Sequence, residues 1–73
     1  MSKLPRISGQ KCINALIKMG FYIKRTKGSH VILGKLNSNL RVVIPNHKEL
    51  DRGTLHSILK QAEISAENFL KNL

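Results

Sequence analysis

One cysteine, four carboxylates and no long apolar run are the scarcities that set limits on this 73-residue chain. The lone Cys12 cannot form a disulfide within the chain, so an oxidising compartment is not required; at its place in the sequence it reads as a small packing residue. No Cys/His set has zinc-finger spacing, and no dense carboxylate cluster suggests a catalytic Mg²⁺ site, so no metal or other cofactor is expected. No apolar stretch approaches the roughly 20 residues of a membrane span. The opening residues Met1-Ser2-Lys3-Leu4-Pro5-Arg6 carry no secretory apolar region, and a cytoplasmic protein is expected. Repeats, low-complexity tracts and linkers are also missing, so residues 1–73 are expected to form one domain. A domain this short buries only about 60% of the surface that its unfolded chain exposes. A shallow surface site is therefore more natural than a deep pocket.

Positive charge is what the chain has in excess. Lys and Arg number 13 against 4 Asp and Glu, for a net charge of +9 and a pI near 10.4. That imbalance favours a polyanion or an acidic protein as partner. Its densest expression is Lys24-Arg25-Thr26-Lys27-Gly28-Ser29-His30, followed at once by the apolar Val31-Ile32-Leu33. Three cations and a flexible Gly-Ser step thus precede the side chain that exchanges a proton most readily near neutral pH. The combination suggests acid–base work on a nucleic-acid backbone.

Periodicity supplies the scaffold. Met1 to Ile7 reads as a short basic arm. Ser8 is a helix N-cap, and Ile13, Leu16 and Ile17 recur at helical spacing, predicting a helix over Gly9–Met19. Gly20 supplies a left-handed exit, with Phe21 folding back on Leu16. Phe21–Arg25 alternates as a strand, Thr26–Ser29 is a turn and His30–Leu33 a second strand. A turn over Gly34–Asn39 leads to a third strand, Leu40–Ile44, stopped by Pro45. Asp51 is the candidate N-cap of a second long helix carrying Leu55, Ile58, Leu59 and Ala62. Ser65 caps a short terminal helix with Phe69, Leu70 and Leu73. Short turns imply an antiparallel meander. The predicted fold class is α+β, in the order α-β-β-β-α, with a three-stranded antiparallel sheet, helices on one face and a short C-terminal helical tail.

Strand parity assigns the faces. With Phe21 and Ile23, Val31 and Leu33, and Val42 and Ile44 toward the helices, the residues Tyr22, Lys24, His30 and Arg41 share the open face. Ile32 and Val43 fall on it too, predicting an exposed apolar patch of the kind that marks a partner surface.

Five segments in order carry a likeness: Leu16-Ile17-Lys18-Met19-Gly20-Phe21, Arg25-Thr26-Lys27-Gly28-Ser29-His30, Val42-Val43-Ile44-Pro45-Asn46-His47, Leu50-Asp51-Arg52-Gly53-Thr54-Leu55, and Ile58-Leu59. With these the chain resembles the HicA family of mRNA interferase toxins, over nearly its whole length. The resemblance implies a fold like the double-stranded-RNA-binding domain, His30 as catalytic residue, mRNA as substrate and a HicB-type antitoxin as inhibitor; without a spanning apolar run, no membrane partner is expected. The chain departs from the family pattern at Lys11, where relatives often carry glutamate, at Glu63, where a glycine often ends the second long helix, and at Asn68, where an acidic residue often precedes the phenylalanine.

The chemistry fits without a metal. RNA carries its own nucleophile, the 2′-OH, so cleavage needs a base for that proton, charge to stabilise the phosphorane and an acid for the departing 5′-oxygen. His30 is the candidate base or acid, against the plainer reading of an exposed strand histidine that only hydrogen-bonds or stacks on a base. Lys24, Arg25 and Lys27, with Gly28 and Ser29, are candidate RNA-binding residues, or a solvated basic strand end. Tyr22, Arg41 and His47 are secondary candidates: Tyr22 for base stacking, His47 for a second proton transfer. His56 reads as surface decoration. Gly53-Thr54 is either an anion site at a helix start or a packing glycine. The alternatives to a ribonuclease toxin are a non-catalytic RNA-binding module of the same fold and a regulatory subunit that binds an acidic partner.

Overall fold

The Ser8 hydroxyl accepts a hydrogen bond from the Lys11 N–H at 3.1 Å and starts helix α1, Gly9–Lys18. The computed structural model describes residues 4–73; part of the basic arm expected over Met1–Ile7 lies outside them. Met19 ends α1 and Gly20, at φ +101°, turns the chain into the first strand as predicted. Strands β1 (Phe21–Lys27), β2 (His30–Lys35) and β3 (Arg41–Pro45) follow, then α2 (Arg52–Ala62) and α3 (Ala66–Lys71). The sheet is antiparallel in the order β1-β2-β3. The predicted order of elements therefore holds.

All three helices begin at the predicted caps. Asp51 accepts from the Thr54 N–H at 2.7 Å, and Ser65 accepts from the Asn68 N–H at 3.1 Å. Each cap satisfies one of the N–H groups that a helix start leaves unpaired. The first two strands run longer than their hydrophobic segments suggest, and the third keeps its expected length but lies one residue further on. β1 and β2 extend to Lys27 and Lys35, and β3 starts at Arg41 and includes Pro45. Backbone pairing continues past the point where side-chain patterning stops, so the first hairpin closes on Gly28-Ser29 alone.

One face of the sheet is covered. α1 lies against β1 and β3, and α2 against β3. Leu16, Leu33, Val42, Ile44, Leu55 and Phe69 are completely buried between the layers. Gln61 of α2 also accepts from the Val43 N–H at 3.3 Å, which occupies an outward donor on the β3 edge.

Two apolar positions depart from the sequence expectation. Ile17 is 44% exposed, because it sits about 140° round the helix from Cys12 and off the buried stripe. Ile23 is 49% exposed although it pairs with buried Leu33. It lies midway along an edge strand, where the helix layer stops short.

Candidate nucleic-acid interface

The sheet's open face is built by register. Residues directly opposed in an antiparallel pair project from the same side. Lys27 opposes His30, which opposes Pro45; Arg25 opposes Ile32, which opposes Val43; Tyr22 opposes Gly34, which opposes Arg41. Since Val31 and Leu33 are buried under the helices, these three rows lie on the far face.

Tyr22, His30 and Arg41 stand where parity put them. Arg25 and Lys27 reach the same face by a route that alternation does not foresee. Counting by twos from Tyr22 would send both toward the helices. The register shifts between Ile23 and Arg25, leaving Lys24 as the extra residue of a β-bulge. A bulge advances one strand by one residue against its partner and so reverses the parity beyond it. Lys24 itself stays on the open face, with its aliphatic stem folded over Gly34. A Cβ at Gly34 would come within 2.8 Å of Lys24 Cδ and 3.1 Å of the Tyr22 hydroxyl. The absence of a side chain at position 34 is what lets both reach over β2.

The result is a basic surface with His30 at one end. Lys24, Arg25, Lys27, His30 and Arg41 are all exposed. The four carboxylates, Glu49, Asp51, Glu63 and Glu67, all lie outside the strands, so no anion interrupts this face. Lys24, Arg25 and Arg41 ring a shallow depression of about 410 Å³ with Ile32 as its floor. The expected exposed apolar patch is accordingly corrected. Ile32 does face outward but is only 7% exposed and Val43 is half-buried, because the stems of the flanking cations cover the apolar floor.

Gly28 and Ser29 form the turn that presents His30. Gly28 has φ +59°, and an added Cβ would meet nothing within 4 Å, so its requirement is conformational and the turn tip is open to a ligand. The Ser29 carbonyl accepts from the Asn46 N–H at 2.6 Å, and Gly9 N–H donates to the His47 carbonyl at 2.8 Å. These bonds bring the backbone of the Asn46-His47 loop to the same end of the sheet as His30. The side chain of His47 is exposed.

The helix start at Gly53-Thr54 is not free for an anion. The Thr54 N–H already donates to Asp51, and that bond, with one to the Thr54 side chain, holds the Asp51 carboxyl below the usual carboxylate range. His56 is exposed on α2, beside an open cavity of about 830 Å³ that Arg52 and Glu67 also line. That cavity lies at the starts of α2 and α3 and does not include the strand-borne cations.

Fold and face together define a small basic α+β protein with one helix-covered and one open sheet surface. The family model for the HicA toxin of bacterial toxin–antitoxin systems matches residues 9–64, from the first residue of α1 to just past α2, and the chain belongs to that family. A comparison with curated proteins finds no match. The matched span ends before α3, whose Phe69 is nonetheless fully buried in the core.

Proposed function

We propose that this HicA-family toxin is an endoribonuclease that cleaves mRNA in the cytoplasm, without a metal, with His30 as catalytic residue, and that a HicB-type antitoxin neutralises it. The observation that carries this reading is His30 itself: exposed at the start of β2, directly opposite Lys27, on a face that holds four further charged or phenolic side chains and no carboxylate. The substrate's 2′-oxygen attacks phosphorus as its proton passes to the base, and the P–O5′ bond breaks as the 5′-oxygen takes up a proton. The products are a 2′,3′-cyclic phosphate and a 5′-hydroxyl. His30 serves one of these two proton transfers, and the cations stabilise the charge that gathers on the phosphorane. His47, tied by its loop to the same sheet end, is the candidate for the other.

The basic face also suits an acidic protein surface, which is the physical basis for neutralisation by an antitoxin. No described helix is long and apolar enough to cross a membrane.

His30→Ala is the decisive test. It should abolish cleavage of mRNA and the growth arrest while leaving the circular dichroism spectrum and antitoxin binding intact, and parental cleavage should persist in excess EDTA. Cleavage by His30→Ala at the parental rate would overturn the assignment. RNA binding without cleavage by the parent chain would favour the non-catalytic module instead.

A further inference from the structure

The open face has a repeat that suits one kind of nucleic acid. Its three rows follow one another along β2 at residues 30, 32 and 34, a step of about 6.6–6.8 Å. That is comparable with the separation of successive phosphates in an extended single strand. The first row holds His30 and Lys27. The second, with Lys24 and Arg41 leaning toward it, forms the depression over Ile32. The third holds Tyr22, which is 42% exposed. Its hydroxyl lies 3.1 Å from where a Gly34 Cβ would stand, so the phenol reaches across to β2 while much of the side chain stays accessible.

We propose that single-stranded RNA lies along β2. The scissile phosphate sits at the His30 row, a neighbouring phosphate is held between Lys24, Arg25 and Arg41, and an unpaired base stacks on Tyr22. Three observations converge on this. The depression gathers three cations around an apolar floor, as a phosphate with its ribose requires. Gly34 clears the space into which the exposed Tyr22 phenol reaches. The bulge at Lys24 brings Arg25 onto the face between the histidine and the tyrosine. A duplex keeps its bases stacked inside and offers the ring nothing, whereas an open sheet with an exposed aromatic is a stacking platform for splayed bases. Placement of the scissile phosphate rests on the proposed nuclease function; the mode of binding does not.

The test uses the full chain carrying His30→Ala, so that the RNA survives, and fluorescence anisotropy with labelled di-, tetra- and hexauridylate and a hairpin-closed RNA duplex, with affinities compared per phosphate. Affinity should rise steeply from two to four nucleotides and be weakest, per phosphate, for the duplex. Adding Tyr22→Leu should weaken tetrauridylate binding by about ten-fold. Adding Arg41→Gln should lower the slope of log affinity against log salt by about 0.7, the loss of one phosphate contact on a single strand. Both substitutions are at exposed positions, and matching circular dichroism spectra establish that the fold is kept. The proposal is overturned if both variants bind tetrauridylate like the His30→Ala parent, or if the duplex binds as tightly per phosphate as the hexamer. If the His30-bearing chain fails to cleave but the length dependence and both variant effects hold, only the nuclease reading falls. If it cleaves and those effects are missing, only the proposed placement of the RNA along β2 falls.

Discussion

Glu63 ends α2 at φ +58° and ψ +43°, a left-handed conformation that side chains resist. It is held there by the two hydrogen bonds of a Schellman ending, Ile64 N–H to Leu59 O at 3.0 Å and Glu63 N–H to Lys60 O at 3.2 Å. An L-residue in this region gives up about 1–2 kcal/mol. Glycine escapes that cost, but its freer unfolded chain returns about 0.5–1 kcal/mol of the gain. Removing an anion from the negative end of a helix adds a few tenths, or about 0.3 kcal/mol. Glu63→Gly should therefore stabilise the fold by about 1 kcal/mol, which for a domain of this size raises Tm by about 4–8 °C. Thermal unfolding followed by circular dichroism, with a urea titration to verify that the m-value is unchanged, gives the number. Glu63→Ala is the control: it removes the charge but keeps a Cβ at positive φ, so it should move Tm by no more than a degree or two, from about 0.3 kcal/mol. A glycine variant no more stable than the alanine variant would refute the account of backbone strain.

Other perturbations probe different parts of the chain. Gly9→Ala should destabilise by about 1–3 kcal/mol, because its Cβ would collide with the Pro45 carbonyl oxygen and stand 2.7 Å from Asn46 Cα; a urea midpoint equal to the parent's would show that the loop yields freely. The Asp51 carboxyl is held below its ordinary range chiefly by the Thr54 N–H. Its folded pKa being the lower one, its contribution is complete above the unfolded value of about 3.9 and is lost as pH falls through the folded value. The Tm gap between parent and Asp51→Ala should hence be widest near neutral pH and close in acid; a gap that stays constant down to about pH 2 would contradict this. Burial pushes the Cys12 thiol up to about 12, and its side chain is fully enclosed. At pH 8 it should react with a disulfide reagent only as fast as the chain opens, and rapid labelling of the native protein would place it at the surface.

Local chemistry was the readable part of this fold. Ser8, Asp51 and Ser65 were legible as caps because a short polar side chain before an apolar-periodic run has few other uses. Gly20 and Gly28 were legible as punctuation for the same reason: both sit at positive φ. Strand parity placed Tyr22, His30 and Arg41 correctly on one face. Helical spacing misjudged Ile17, which lies off the buried stripe of α1, and parity gave Ile23 its side but not its exposure, since the reach of a helix layer over an edge strand is a matter of packing, not of pattern. Parity likewise gave Ile32 its side but not its burial, which comes from the stems of Lys24, Arg25 and Arg41, contributed by two neighbouring strands. The anion reading of Gly53-Thr54 fails because Asp51, itself legible as the cap, already takes the Thr54 N–H.

By itself, then, the sequence determined the element order, the caps, the charge and the strand-borne histidine, all of which follow from residues within a few positions of one another. Only the tertiary structure decided which cations accompany that histidine. Arg25 and Lys27 share its face because β1 slips one residue against β2 at Lys24, and Lys24 and Tyr22 both reach over β2 because Gly34, a dozen positions from Tyr22, leaves them room. The side of a sheet that a residue faces beyond a bulge is set by the partner strand, and no reading along a single strand contains it.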